Sequence, residues 1–152
     1  MQDNQAIVTI AGTDLLVESS LGACKVYADE FFGKLKAPYR GALAEDMMAL
    51  MQHQEDHLEP DDEAESGFRK VKGANALDTE MIEHLLDFVW AMARAAGSTD
   101  MTYDQWQDWV LHASVSFFEM SEAYQTIIHQ LGDGATFRLT KGLANAIASD
   151  EG

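Results

Sequence analysis

Two histidines four residues apart have the spacing in this chain that comes nearest to a metal site. His53 and His57 would share one face of a helix, which is how two imidazoles are presented to a zinc ion. A zinc metalloprotease motif also requires a glutamate directly after its first histidine, and Gln54 stands there instead. Because no third ligand is marked, we interpret both histidines as solvated polar residues and predict no metal site.

The acidic run that follows these histidines has the composition of a calcium site but not its order. Residues 55–65 include seven acidic side chains among eleven. A calcium-binding EF-hand loop needs oxygen ligands at alternate positions around a central glycine. Here no glycine occurs before Gly67, and Pro60 interrupts the required turn. We therefore interpret the run as a solvated loop.

Catalytic patterns are equally incomplete. Cys24 falls on the apolar face of a predicted helix, where cysteine is usually a small buried hydrophobe, and no histidine is near it in sequence. The glycines of residues 132–134 follow a helix rather than a strand, so they do not form a phosphate-binding loop. Glu119, Glu122 and His129 lack the Glu-x-x-His order of helical metal clusters. We predict no catalytic residue and no cofactor, and expect that the protein is not an enzyme and acts by contact.

Composition and charge limit the partners. The chain has 152 residues, 47% of them hydrophobic, and we expect one domain, 1–152, with a buried core. A net charge of −16 opposes binding to nucleic acid phosphates and to anionic membranes. The single cysteine fits a reducing cytosol, and neither a signal peptide nor a membrane-spanning run is evident. These observations predict a soluble intracellular protein.

The first half of the chain reads as a hairpin, then helices, then a charged loop. Residues 6–18 contain two short β-type runs around a glycine-containing turn, which is the usual signal for a β-hairpin. Residues 19–58 show helical spacing, with Ser19 or Ser20 as the helix cap. Residues 55–75 are acidic and then basic, and the sequence predicts a loop there.

The second half, residues 78–131, is helical. Asp78 and Gly97 are a good N-cap and a good C-terminal stop for one helix, and Thr102 begins a capping box with Gln105. A 3.5-residue apolar repeat then predicts either one helix over about 103–131 or two helices meeting near 114–116. Residues 132–152 are weakly patterned, as a loose tail or a short helix. The predicted fold is mainly α, an N-terminal β-hairpin packed on a bundle of four to five helices.

Four residues are candidates for contact with a protein partner. The outer strand of the hairpin, with Val8 and Ile10, would have a free edge that can pair with another strand or a second copy. Trp90 and Trp109 fall beside the main apolar stripes of their helices, and an exposed tryptophan is a good anchor for a partner.

The order of these elements resembles that of a known family. The segments that carry the resemblance are SLGACKVYADEFFGKL at 20–35, MIEHLLDFVWAMARAAG at 81–97 and TYDQWQDWV at 102–110, after an N-terminal hairpin and a variable polar stretch. This layout, over roughly 6–131, resembles the tail assembly chaperones of long-tailed bacteriophages and prophages. It rests on order, spacing and helix character and not on an invariant motif.

The resemblance implies a non-enzymatic role in the cytoplasm of a bacterial host. Such chaperones coat the long, apolar tape measure protein until the tail tube polymerises around it, and they are absent from the mature virion. Many exist in two lengths through a ribosomal frameshift. The implied partners are the tape measure protein, the tail tube protein and further copies of the chain; the family supplies no catalytic residues.

Three other functions remain open on the sequence alone. An acidic DNA mimic would present carboxylates along an extended face, whereas many acids here crowd one predicted loop. An enzyme could assemble a site from distant residues such as His84, His112 and His129. A helical adaptor of phage origin, including a head–tail connector component, would share most of the features described above.

Overall fold

The computed structural model describes residues 2–56, 58–60, 69–71 and 78–131, with side chains described for 2–55 and 78–131. The elements are β1 Gln5–Ile10, β2 Thr13–Glu18, α1 Leu21–Phe31, α2 Leu43–Asp56, β3 Leu58–Pro60, β4 Arg69–Val71, α3 Thr79–Ala96, α4 Tyr103–His112 and α5 Phe117–Tyr124, which continues as a π-helical segment Gln125–Leu131. The predicted fold class is confirmed: a mainly helical protein with an N-terminal antiparallel hairpin.

The hairpin lies with one face on the helices. β1 and β2 pair antiparallel around the two-residue turn Ala11–Gly12, whose φ angles of 52° and 76° match the twist of a tight hairpin. Alternate side chains point inward and are buried, namely Ala6, Val8, Ile10, Leu15 and Val17. Since β2 contacts α3 and β1 contacts α5, the hairpin shares the helical core instead of having to be stable alone.

Helix caps fall where the sequence predicts them. The Ser20 hydroxyl accepts from the Ala23 amide, and the Asp78 carboxylate accepts from the Met81 amide at 2.9 Å. Gly97 ends α3 in the left-handed region, which glycine adopts without a Cβ clash. These caps fix where α1 and α3 begin and where α3 ends.

The long apolar repeat forms two helices, so the second of the two predicted arrangements is correct. α4 ends at His112, and Ser116 caps α5 in a second capping box with Glu119. The Ser-x-x-Glu pattern of this box is present in the sequence. The apolar repeat continues through it, however, so the repeat alone does not indicate a helix boundary there. The break interrupts the seam, and Phe117 is 49% exposed whereas Met120 is buried.

The predicted loop over 55–75 is wrong for six of its residues. β3 and β4 pair antiparallel, with Leu58 opposite Val71 and Glu59 opposite Lys70. Acidic composition argues against burial of apolar area, but a short ladder needs only backbone hydrogen bonds, and Pro60 stands at a strand end. Residues 55 and 56 belong to α2. Residues 57, 61–68 and 72–75 of the predicted loop, and the predicted tail 132–152, lie outside the described residues.

Helix α3 is the centre of the core. It contacts α1, α2, α5 and strand β2, and most of its second half is buried on every side. Its fully buried apolar side chains include Met81, Leu85, Phe88, Val89 and Met92. Within the described ranges, none of the helices combines the length and apolar character needed to cross a membrane.

Candidate protein-binding groove

Three of the four predicted partner contacts are buried. The side chains of Val8, Ile10 and Trp90 are 3%, 0% and 4% exposed. Trp90 is therefore not the exposed anchor that the sequence suggested. For Val8 and Ile10 the prediction concerns the backbone edge of β1, which the burial of their side chains does not test. Val8 and Ile10 point to the inner face of the hairpin. Trp90 is covered because α3 is packed on several sides, and its Nε1 donates to the Met101 carbonyl at 3.0 Å.

Trp109 is half-buried and lies on the outer side of α4. Its ring packs against that of Trp106, with centroids 5.3 Å apart. With Asp108, His112 and Ala113 it borders a shallow surface depression. A partner contact at Trp109 stays a prediction.

The outer edge of β1 faces α5 across a depression of about 520 Å³. Within the described residues β1 pairs with β2 alone. The depression is lined by Ile7, Val8 and Thr9 on one side, and by residues of α5 and its π-helical continuation on the other. Strand pairing at this edge therefore stays a prediction, with α5 standing beside it.

A larger groove of about 630 Å³ runs between α3, α4 and the start of α5; we call it the α3–α5 groove. Most of its lining is apolar, including Ile82, Leu86, Trp106, Val110, Val115 and Met120. Leu111 and Phe117 also line it, and they are 73% and 49% exposed. Phe118, which follows Phe117 in the chain, is 71% exposed and lines the depression beside β1 instead. Apolar side chains thus extend from the groove into solvent.

The local sequence explains why these apolar side chains are exposed. Ser116 caps α5, so Phe117 and Phe118 occupy its first turn. By the helical period Phe117 shares the face of Met120 and Tyr124, but in the first turn of α5 it is only half-covered, whereas Phe118 falls on another face. Two adjacent phenylalanines at a helix start cannot both share that buried stripe.

The groove also contains a buried acid. Asp87 is 6% exposed, and its Oδ1 accepts a hydrogen bond from the Tyr103 hydroxyl at 2.7 Å. The Tyr103 hydroxyl in turn accepts from the Gln107 amide. Burial raises the pKa of Asp87 to about 7, opposed by the Tyr103 hydrogen bond and reinforced by the nearby charge of Glu83. Near neutral pH this carboxyl group therefore exists in both protonation states.

Two further polar groups of the groove residues have no partner within the described part of the chain. The Trp106 side chain is 1% exposed, and its Nε1–H has no acceptor there. His84 stacks on Tyr39 with ring centroids 3.6 Å apart, its Nδ1 has no partner there, and burial lowers its pKa. Buried polar atoms without a hydrogen-bond partner are uncommon in folded proteins. Two residues of the mostly apolar groove lining have such atoms.

Glu119 belongs to the group of Glu119, Glu122 and His129 that lacks the order of a helical metal cluster. In the structure it connects α5 to the hairpin. Its carboxylate accepts from the backbone amides of Ala11 at 3.1 Å, Gly12 at 2.8 Å and Ser116 at 3.1 Å. Hydrogen bonds from Ser116 and from the hairpin turn lower the pKa of Glu119. The role of this residue is to position the helix.

Asp46 is a second structural acid that sequence patterns do not reveal. It is fully buried and accepts hydrogen bonds from the Tyr27 hydroxyl at 2.7 Å and from the amides of Arg40 and Gly41. Burial and this bond to Asp46 raise the pKa of Tyr27. The cluster ties the turn before α2 to α1, and only the tertiary contact with Tyr27 identifies it.

The histidines outside the groove lining have different contacts. His53 lies 2.9 Å from the Asp78 carboxylate, whereas His57 is outside the described residues. His112 contacts Asp108 on exposed α4, and His129 contacts the Tyr124 ring. Across residues 2–55 and 78–131, no group of three or more His, Cys, Asp or Glu side chains is placed to hold a metal ion.

Comparison of the chain with protein-family models, curated proteins and solved structures finds no match. What the α3–α5 groove can do therefore follows from its own geometry. Its walls are helices, its lining is mostly apolar and its exposed end presents aromatic and aliphatic side chains. Such a surface suits the apolar face of another helix.

Proposed function

We propose that the protein is a non-enzymatic tail assembly chaperone of a long-tailed bacteriophage or prophage. In this function it binds the tape measure protein in the cytoplasm of the bacterial host and keeps it soluble until the tail tube assembles. It is then absent from the mature virion. The observation that carries the proposal is the apolar α3–α5 groove, whose lining includes the exposed side chains of Leu111 and Phe117. Exposed Phe118 follows Phe117 in the chain.

The chemistry of the client fits this surface. A long apolar helix exposes side chains at i, i+3, i+4 and i+7, and these insert into a groove between helices. A monomeric soluble protein seldom exposes large apolar side chains so close together unless they serve an interaction. The net charge of −16 then keeps a coated client from precipitating by repulsion between complexes.

Co-expression with the tape measure protein tests the proposal. We expect the tape measure protein to be soluble with this chain and insoluble without it. The variant L111S/F117S/F118S should lose most of this effect. L21S is a matched control. Leu21 is 47% exposed, a fraction similar to that of Phe117, and it does not line the groove. A client that stays insoluble with the wild-type chain contradicts the proposal.

A helical adaptor is the second candidate, since the same exposed groove would serve it equally well. The two functions differ in when the complex exists. A chaperone leaves before the particle is complete, whereas an adaptor such as a connector component stays. Detection of this chain by mass spectrometry in purified, complete particles would favour the adaptor.

A further inference from the structure

The α3–α5 groove holds a buried acid for which the described chain provides no cation. Asp87 lines the groove, and no Lys or Arg is among the residues that line it. The interaction that its carboxylate does make is the hydrogen bond from Tyr103, a neutral donor. Burying a carboxylate without a cationic partner is unfavourable, and a partner that brings a positive charge would relieve this.

A second residue of the groove lining has an unpartnered polar group. Trp106 also lines the groove, and its buried Nε1–H has no acceptor within the described residues. The feature of the groove that a partner can complement is therefore the acid Asp87, which has no cation among the lining residues and lies within mostly apolar walls.

These features select among possible occupants. The three walls are helices, so no strand edge is offered to an extended peptide. Glu83 and Asp87 make the groove negative, which disfavours nucleic acid, an anionic membrane and a second copy of a chain with net charge −16. An amphipathic helix with a basic side chain beside its apolar face complements both the shape and the charge.

We propose that the α3–α5 groove selects amphipathic helices by a Lys or Arg at the edge of their apolar face, whose cationic group pairs with Asp87. This inference rests on the proposed function, because it names the feature of the client that the groove recognises. The apolar face supplies most of the contact area, and the charge pair determines which helices bind and in which register.

The pairing predicts that binding releases a proton. The pKa of free Asp87 is about 7, and a neighbouring cation lowers it, so affinity rises as pH increases from about 6 to about 8. The groups that face Asp87 are Glu83 on α3, Glu30 on α1 and Tyr103 on α4. His84 also lines the groove, and because burial lowers its pKa it is neutral over most of this range.

Calorimetry with two synthetic helical peptides tests the inference. Both have about 18 residues, long enough to form helix on binding, and share one Leu/Ala face; one has Lys at its edge and the other has Gln. For the full-length protein at about pH 8, we expect the Lys peptide to bind about tenfold tighter, with a smaller preference at about pH 6. D87N should abolish both the preference and its pH dependence.

The control variant is D104N, which removes an acid from the same part of the molecule without altering the groove lining. It should retain the preference for the Lys peptide. Circular dichroism of D87N establishes that the variant is folded, and the comparison of the two peptides on the wild-type protein needs no variant at all.

The possible results separate this inference from the proposed function. Equal binding of both peptides by the wild type overturns selection by charge and leaves the chaperone proposal in place. A D87N variant that still prefers Lys overturns the role of Asp87. If neither peptide binds while co-expression still keeps the tape measure protein soluble, the inference is wrong and the proposed function stands. Failure of both experiments contradicts both proposals.

Discussion

Asp46 and Gly41 act together at the turn that precedes α2. Asp46 is fully buried and accepts a backbone hydrogen bond from Gly41, while the Tyr27 hydroxyl binds the same carboxylate oxygen. Gly41 has a φ of 85° and approaches the backbone of Phe32 closely, so that an added Cβ would lie 2.4 Å from the Phe32 Cα. Both the backbone conformation and the available space therefore require glycine here.

Replacing Gly41 tests this close approach. We expect G41A to lower the free energy of unfolding by on the order of 2–4 kcal/mol, because a left-handed φ and a backbone clash act together. G33A is the control: Gly33 has a similar φ of 76°, but a Cβ there meets no atom within 4 Å. Its cost should be about 1 kcal/mol. Urea unfolding of both variants measures the difference, and equal losses would contradict the role of the clash.

At the scale of elements, the short helices α4 and α5 are attached through a few side chains. Tyr103 connects α4 to the core, with its ring 4.9 Å from that of Phe31 and its hydroxyl bonded to Asp87. Glu119 connects α5 to the turn between β1 and β2. These two connections place the walls of the α3–α5 groove relative to α3 and the hairpin.

Removing the Glu119 carboxylate should loosen the hairpin turn. In E119A the amides of Ala11 and Gly12 lose their acceptor, so we expect their hydrogen exchange to become faster and α5 to lose its capping box. E122A removes a carboxylate three residues further along α5 and should leave these amides protected. Exchange followed by NMR measures both. Unchanged protection of Ala11 and Gly12 in E119A would show that this connection is unimportant.

The Asp87–Tyr103 connection predicts a pH dependence of stability. The pKa of Asp87 is raised from 3.8 to about 7 in the folded protein, so between these values the folded state binds more protons than the unfolded state. The stability contributed by the neutral acid is therefore present below about pH 4 and lost as pH rises through about 7. As pH rises from about 4 to about 7, we expect the free energy of unfolding of D87N to increase by about 2–4 kcal/mol relative to that of the wild type.

Urea unfolding of D87N and wild type at several pH values measures this gain. D104N, a change on exposed α4, should follow the wild-type pH profile. A constant difference between D87N and the wild type across the whole range would contradict the raised pKa.

For the whole molecule, the distribution of apolar side chains separates folding from binding. α3 contacts α1, α2, α5 and β2, and the side chains it contributes to that centre are almost completely buried. Leu111, which lines the groove, and Phe118, which lines the depression beside β1, are more than 70% exposed. The buried apolar residues of α3 stabilise the fold, whereas the exposed apolar residues are available to a client.

A pair of phenylalanine variants distinguishes these two kinds. F88A should lower the free energy of unfolding by about 3–5 kcal/mol, because Phe88 is fully buried beside Tyr27. F118S should change it by no more than about 0.5 kcal/mol and should still reduce the amount of client kept soluble. A strongly destabilised F118S would mean that Phe118 belongs to the core instead of the binding surface.

Local signals in the sequence were sufficient for most of the elements. Ser20, Asp78, Thr102 and Gly97 mark helix ends through hydrogen bonds to residues only a few positions away. Alternation of apolar residues likewise predicts the hairpin. The class of fold followed from these short-range patterns because each depends on the nearby chain alone.

Patterns in the sequence are sufficient to predict a mainly helical, strongly acidic protein with an N-terminal hairpin, whereas the side chains that reach the surface are known only from the packing of the elements. Trp90 and Ile10 are buried because α3 and the hairpin are covered by elements distant in sequence, and Phe118 is exposed because the capped start of α5 turns it away. The meeting of Asp87 with Tyr103 and of Glu119 with Gly12 depends on how helices pack. Periodicity fixes the faces of a helix, whereas packing fixes which of those faces is covered.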